Sequence, residues 1–156
     1  LRKTRKNNNI FTCKSHKNCD GRLYTNSMKF FVTGRSTNSE EVERVFQTIL
    51  ARGHSITFHW TSLPQTKPYA ENTEAAEHFA EQAVRGVTEA DIYILLSHAD
   101  GNGVFAELGA ALATWESGRK IKIYAVEPQN KGVAMFHYHP AITWVNSLEE
   151  VWKDIT

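Results

Sequence analysis

From Met28 onward the apolar positions switch between two periods. The run "MKFFVTG" (28–34) is β-rich and apolar and closes on a glycine. In "NSEEVERVFQTILARG" (38–53), Val42, Val45, Phe46, Ile49 and Leu50 recur at spacings of three and four, which predicts a helix with one buried face. Asn38 with Glu41 three residues on reads as a capping box, and Gly53 reads as the stop. "HSITFHW" (54–60) predicts a second strand with Ile56, Phe58 and Trp60 on one face. A polar loop with Pro64 and Pro68 leads to a helix from about Asn72 to Val87. "DIYILL" (91–96) is continuously apolar, as a strand buried on both faces should be. A helix over 103–118, the strand "KIKIYAV" (120–126), the strand "AITWV" (141–145) and a capped helix beginning "SLEE" (147–150) complete the pattern.

Strand and helix alternate five times, which predicts an α/β fold: a five-stranded parallel sheet with helices on both faces, a three-layer sandwich. Ligands of such sheets bind outside the carboxyl ends of the strands, near the switch in strand order. That rule selects Thr33-Gly34-Arg35-Ser36, His59-Trp60, Ser97-His98-Ala99-Asp100 and the start of the helix that carries Glu107.

At 156 residues the chain has room for one domain with a full core. The expected division is a domain over 28–156 behind an extension over 1–27. The extension holds seven Lys/Arg against Asp20 alone, about +6, while the remainder holds 11 Lys/Arg and 16 Asp/Glu, about −5. An acidic body lacks the basic face of a nucleic-acid reader, so no nucleic-acid partner is expected for 28–156. The arm reads as a flexible, solvated tail in preference to a polyanion contact. Cys13, His16 and Cys19 lie in it and are one ligand short of a structural zinc set, so no metal is expected. Because the chain starts at Leu1 and Met28 directly precedes the first strand, the arm is expected to be upstream read-through or a poorly conserved extension. No run approaches the roughly 20 apolar residues of a membrane span and no signal peptide opens the chain, which points to the cytoplasm and to no membrane partner.

The stretch "GNGVFAELGAAL" (101–112) holds the main chemical candidate. An acid near a helix start is favoured by the free N–H groups there, worth about 0.3–1 kcal/mol. With Gly103 as N-cap, however, the capping-box position is Ala106, so Glu107 lies one residue too deep for that role. The same partial charge keeps a carboxylate ionised, as a nucleophile at a sugar carbon must be. Gly101 and Gly103 remove bulk from the approach and let a ligand come close to the backbone.

From about Met28 to Ile155 the chain resembles the nucleoside 2-deoxyribosyltransferase-like family, which includes deoxynucleoside 5′-monophosphate N-glycosidases. The matching parts are "KFFVTG", "TEADIYILL" and "GVFAELGAAL" followed by "GRKIKIY", and the Gly-x-x-x-Glu-Leu-Gly core is the most specific. The resemblance implies a flavodoxin-like fold with no cofactor. It also implies that Glu107 attacks C1′ of a 2′-deoxyribonucleoside, expels the base and holds the sugar covalently. The sugar then passes to another base or to water. One position departs: the family aspartate eight residues before Asp91 is Ala83 here. Glu81 lies about 200° round the helix from it, so Asp100 is the better partner carboxylate. Homo-oligomerisation, a dimer or higher, is implied too, with Tyr138 and Trp144 as contact residues.

The remaining candidates carry paired readings. Asp91 opens its strand some 16 Å from the carboxyl end and is expected to be structural. Asp100 is either a site acid or a turn residue of Asp-Gly. Gly34, Arg35 and Ser36 form either an anion seat for a 5′-phosphate or ordinary helix capping. Trp60 either stacks on a base or covers the sheet edge. His98 either binds substrate or is a plain loop residue. His137 and His139 are expected to be surface histidines. The expected function is cleavage or transfer at an N-glycosidic bond of a nucleoside or nucleotide. The alternatives are a nucleotide-binding module without catalysis and a glycohydrolase for nicotinamide dinucleotide.

Overall fold

The computed structural model describes residues 27–64, 66–97 and 102–156. Asp100, His98 and Gly101 among the candidates, and Cys13, His16 and Cys19 in the arm, lie outside the described residues. The elements are β1 (Lys29–Thr33), α1 (Ser39–Ala51), β2 (Ser55–Ile56), α2 (Thr73–Glu89), β3 (Ile92–Leu96), α3 (Asn102–Glu116), β4 (Lys122–Val126), β5 (Ile142–Val145) and α4 (Leu148–Ile155). The sheet is parallel throughout, in the order β2-β1-β3-β4-β5. This is the flavodoxin-like α/β arrangement, and its switch point lies between β1 and β3.

Alternation along β1 builds the two outer layers. Phe30 meets Trp152 of α4 at 5.7 Å between ring centroids, and the Arg52 guanidinium at the end of α1 lies 4.8 Å over the same indole. Phe31 faces the other way, stacked on Tyr93 at 5.8 Å and on Phe58, which in turn packs edge-on against Phe79 of α2. Hence α1 and α4 cover one face, and α2 and α3 the other. β3 is buried at every residue, as its unbroken apolar run requires. Asp91 accepts the Lys29 backbone N–H at 2.8 Å, a structural tie at the amino edge. No helix among the described residues is long and apolar enough to cross a membrane.

Several expectations need correction. β2 is only two residues long, because the chain leaves the ladder after Thr57 donates to Phe30 and the Trp60 indole N–H instead reaches the Val32 carbonyl at 3.0 Å. Asn38 gives α1 no side-chain cap, since a 3₁₀ turn over Ser36–Asn38 precedes the helix; Ser147 gives α4 none either. The expected stop holds: Gly53 follows the α1 C-cap at φ 80°, where glycine is favoured. His137 is not a surface residue but is buried against Phe105 and Trp144. His139 instead meets Glu116 at 3.2 Å from a 3₁₀ turn, so the two imidazoles share no strand face.

Gly86 marks the closest helix-to-sheet approach. A Cβ there would stand 2.9 Å from the Phe58 Cβ and 3.1 Å from the Phe31 ring. Gly86→Ala is therefore expected to lower stability by about 1–2 kcal/mol, overpacking outweighing alanine's better helix propensity. Urea denaturation read by circular dichroism measures it.

Candidate functional site

The site is built at the β1/β3 switch point. Thr33 is the last residue of β1, fully buried on the α2/α3 face. Its hydroxyl donates to Glu107 Oε2 across 74 positions of sequence. Glu107 is the sixth residue of α3, and Leu108 beside it is buried in the core. The helix starts at Asn102, so Gly103 is inside its first turn and not its N-cap. Glu107 thus sits in the second turn, past the reach of the helix-end partial charge.

That placement changes its protonation. Burial pushes the Glu107 carboxyl up to about 7, and the Thr33 hydrogen bond works against the rise without cancelling it. The expected fully ionised carboxylate is therefore about half ionised at neutral pH. No cation among the described residues forms an ion pair with it. Tyr93, fully buried beneath, has a hydroxyl with no partner of its own in good geometry. Burial and the Glu107 charge both push its phenol well above the usual range.

The shape is similar to that of a solved N-glycosidase. The structure of the Clostridium botulinum CMP N-glycosidase BcmB matches with a TM-score of 0.51 over 81% of this chain and 97% of that one, at 15% identity. At that identity the likeness is one of fold. No family model matches the sequence, and no curated protein does.

The other candidates spread along the same rim. Gly34 lies against α1, where a Cβ would stand 2.7 Å from Val42 Cγ2, and Ser36 is exposed in the 3₁₀ turn that Arg35 opens. Gly103 is exposed with nothing within 4 Å of a Cβ position. Trp60 is buried with its N–H on Val32, which favours its packing role over base stacking. Ala83 is buried in the core at 5% exposure. Beside Trp60 stands a tight polar knot: Glu43 accepts from Gln47 at 2.6 Å, from Thr61 at 2.5 Å and meets His59 Nε2 at 2.7 Å. The Thr61 bond, then those of His59 and Gln47, draw the Glu43 carboxyl down to about 2.

Sequence reasoning missed Tyr93 and Glu127, and it reached Thr33 and Ser97 only as positions on the rim. Thr33 was within the rim stretch, but nothing in it pointed to Glu107. Tyr93 sits inside an apolar run and reads as core. Ser97, directly after β3, lies in a stretch that the strand-end rule selects, and the same rule reaches Glu127, directly after β4, when it is carried one strand further. Glu127 adopts φ 70°, ψ 78°, a left-handed conformation that costs a non-glycine residue about 1 kcal/mol.

Because burial pushes the Glu107 carboxyl from its ordinary value of 4.5 up to about 7, the fold binds a proton more tightly than the unfolded chain. Its contribution is complete below pH 4.5 and falls away through pH 7, by about 3 kcal/mol in all. Glu107→Gln is expected to match the parent at pH 4 and to be more stable at pH 8 by up to that amount. Thermal melts across this range measure it.

Proposed function

We propose that the protein cleaves or transfers the N-glycosidic bond of a nucleoside or nucleotide, with Glu107 as the nucleophile. The observation that carries the reading is a carboxylate at the switch point, partly buried, held by Thr33 and titrating near neutrality. A Glu107 oxygen bonds to C1′ as the C1′–N bond breaks, and the bonding pair leaves on the base nitrogen. The base takes a proton from solvent or from Asp100, the candidate acid seven residues earlier. Water or a second base then attacks C1′ and releases the carboxylate. Gly34, Arg35 and Ser36 face the far end of the ligand. No cofactor or metal is called on. The fold likeness to a CMP N-glycosidase supports this reading.

A second reading, a nucleotide-binding module without catalysis, is favoured by Ala83, whose burial leaves no carboxylate at that helix position. Calorimetric titration with nucleosides and nucleotides, run beside a turnover assay, separates the two. Chromatography of both bases, with and without an added free base, separates transfer from hydrolysis.

Glu107→Ala is expected to abolish base release, by at least about a thousandfold, with the fold intact. In the parent, kcat/KM should rise with pH through about 7 and then level, because the attacking form is the ionised one. Thr33→Val removes the bond that lowers the Glu107 pKa, so its limb should move to higher pH. An unchanged limb would remove Thr33 as a positioning residue.

The chain is also proposed to form homo-oligomers. Val133, Met135, Phe136 and Tyr138 are exposed on one short segment, and Trp115 is exposed at the end of α3. Tyr138 carries Lys131 over its ring at 5.1 Å, and Trp144 is partly buried with its N–H on the His137 carbonyl. Met135→Glu with Phe136→Glu is expected to convert the assembly to monomers in light scattering.

A further inference from the structure

Tyr93 stands beside the nucleophile without a part in bond breaking. It lies opposite Phe31 in the β1/β3 ladder, and Thr33 lies opposite Leu95. Side chains return to one face at every second residue, so Phe31, Thr33, Tyr93 and Leu95 share the face that α2 and α3 cover. The Tyr93 ring stacks on Phe31 at 5.8 Å between centroids, with 3° between the planes. Its oxygen is close to both members of the Thr33–Glu107 bond. Burial and then the Glu107 charge push the phenol up, while the Thr33 hydroxyl draws it the other way.

Yet that oxygen has no hydrogen-bond partner among the described residues, and the side chain is fully buried. A phenylalanine would keep the stack and spare the cost of an unmatched buried hydroxyl. The deficit has a complement close by. Thr33, itself fully buried, donates its one hydroxyl proton to Glu107 and keeps lone pairs able to accept. A donor with nothing to bond to thus stands beside an acceptor with capacity to spare. Charge on Glu107 is what draws the two together, because it polarises the Thr33 hydroxyl and makes that oxygen a better acceptor in turn. Among the described residues, Glu107 is the one charge that bears on the phenol. The charged residues and His78 of α2 are exposed from Glu74 to Glu89, as are Glu116 of α3 and Lys29 and Lys122 at the amino ends of β1 and β4. Asp91 is held by the Lys29 N–H. Burial lowers the His137 imidazole, which packs on Phe105 of α3, so it is neutral near pH 7.

We propose that Tyr93 is a positioning residue for Glu107: its hydroxyl donates to Thr33 Oγ when the carboxylate is ionised, completing a chain from Tyr93 through Thr33 to Glu107. Both hydroxyl protons stay on their own oxygens, and only the Tyr93 O–H turns. With the carboxyl neutral, or bonded to C1′, the chain is slack. The proposal rests on the N-glycosidic reading for its part in the reaction. Glu107 must be an anion to attack, and it becomes one again when the C1′–O bond breaks and the electron pair returns to it. The chain supports the charge at both moments.

The coupling can be read without substrate. In carbon-13 NMR of the unsubstituted protein, with labelled glutamate and tyrosine, the Tyr93 Cζ shift is expected to follow the Glu107 carboxyl through one midpoint at about 7. Tyr93→Phe is expected to raise the Glu107 midpoint by about half a unit to one unit, a three- to tenfold gain in proton affinity. In a Thr33→Val background the same change should move it no further, because the chain is already cut. Tyr93→Phe should melt at or above the parent at pH 5, where the hydroxyl is idle, and lose that advantage by pH 8. A Tyr93 shift that is flat through the Glu107 titration, a midpoint unmoved in Tyr93→Phe, or an equal rise in both backgrounds would overturn the proposal. Base release is scored separately, and the kcat/KM limb of Tyr93→Phe should move with the midpoint. Turnover with uncoupled titrations keeps the enzyme and removes the chain, whereas coupled titrations without turnover do the opposite.

Discussion

The hydrogen bond from Thr33 to Glu107 joins the last residue of β1 to the second turn of α3, and it decides how the rim of the sheet is organised. The acceptor is a carboxyl group removed from water, so the bond sits in a low-dielectric spot where its worth exceeds that of a surface contact. It also fixes where the acid points: toward the end of β1, at the place where the strand order reverses. Tyr93, near enough for its phenol to feel the Glu107 charge, and Leu108, the next residue of α3, are both fully buried. The result is a carboxylate that is tense when ionised and at ease when neutral. A group that attacks carbon benefits from that tension, since bonding to the sugar removes its charge.

Much of the fold was legible because the chain obeys simple periods. The helix spacing of Val42, Val45, Phe46 and Ile49 corresponds to four buried residues of α1, and the solid run at 92–96 corresponds to the central strand. Legibility failed where a side chain took over a backbone role. The indole of Trp60 fills a carbonyl that a strand N–H would otherwise satisfy, so an alternating stretch became two residues of strand and a turn. No periodicity reports such an exchange.

At the site, Glu107 was legible from its motif, but its protonation was not. The reasoning from helix ends assumed a start at Gly103. A start one residue earlier, with a tyrosine and a threonine beneath, lets burial win over the dipole. Tyr93 was hidden because an aromatic in an apolar run looks like packing, and here it is packing with a polar tip. Glu127 was hidden by its bland type: a glutamate after a strand signifies nothing until topology sets it beside Ser97 at the end of β3.

The parallel sheet also sorts charge along its strands. Lys29 and Lys122 begin β1 and β4, Arg119 and Lys120 precede β4, and Arg52 follows α1, so these cations gather at the amino edge beside Asp91 and Asp154. Helices run the other way, and Glu40, Glu41, Glu149 and Glu150 in their first turns join Glu107 and Glu127 at the carboxyl edge, with Arg35 and Lys131 as counterweights. A charged molecule that approaches this rim meets those acids first, and dissolved salt blunts what they do to it.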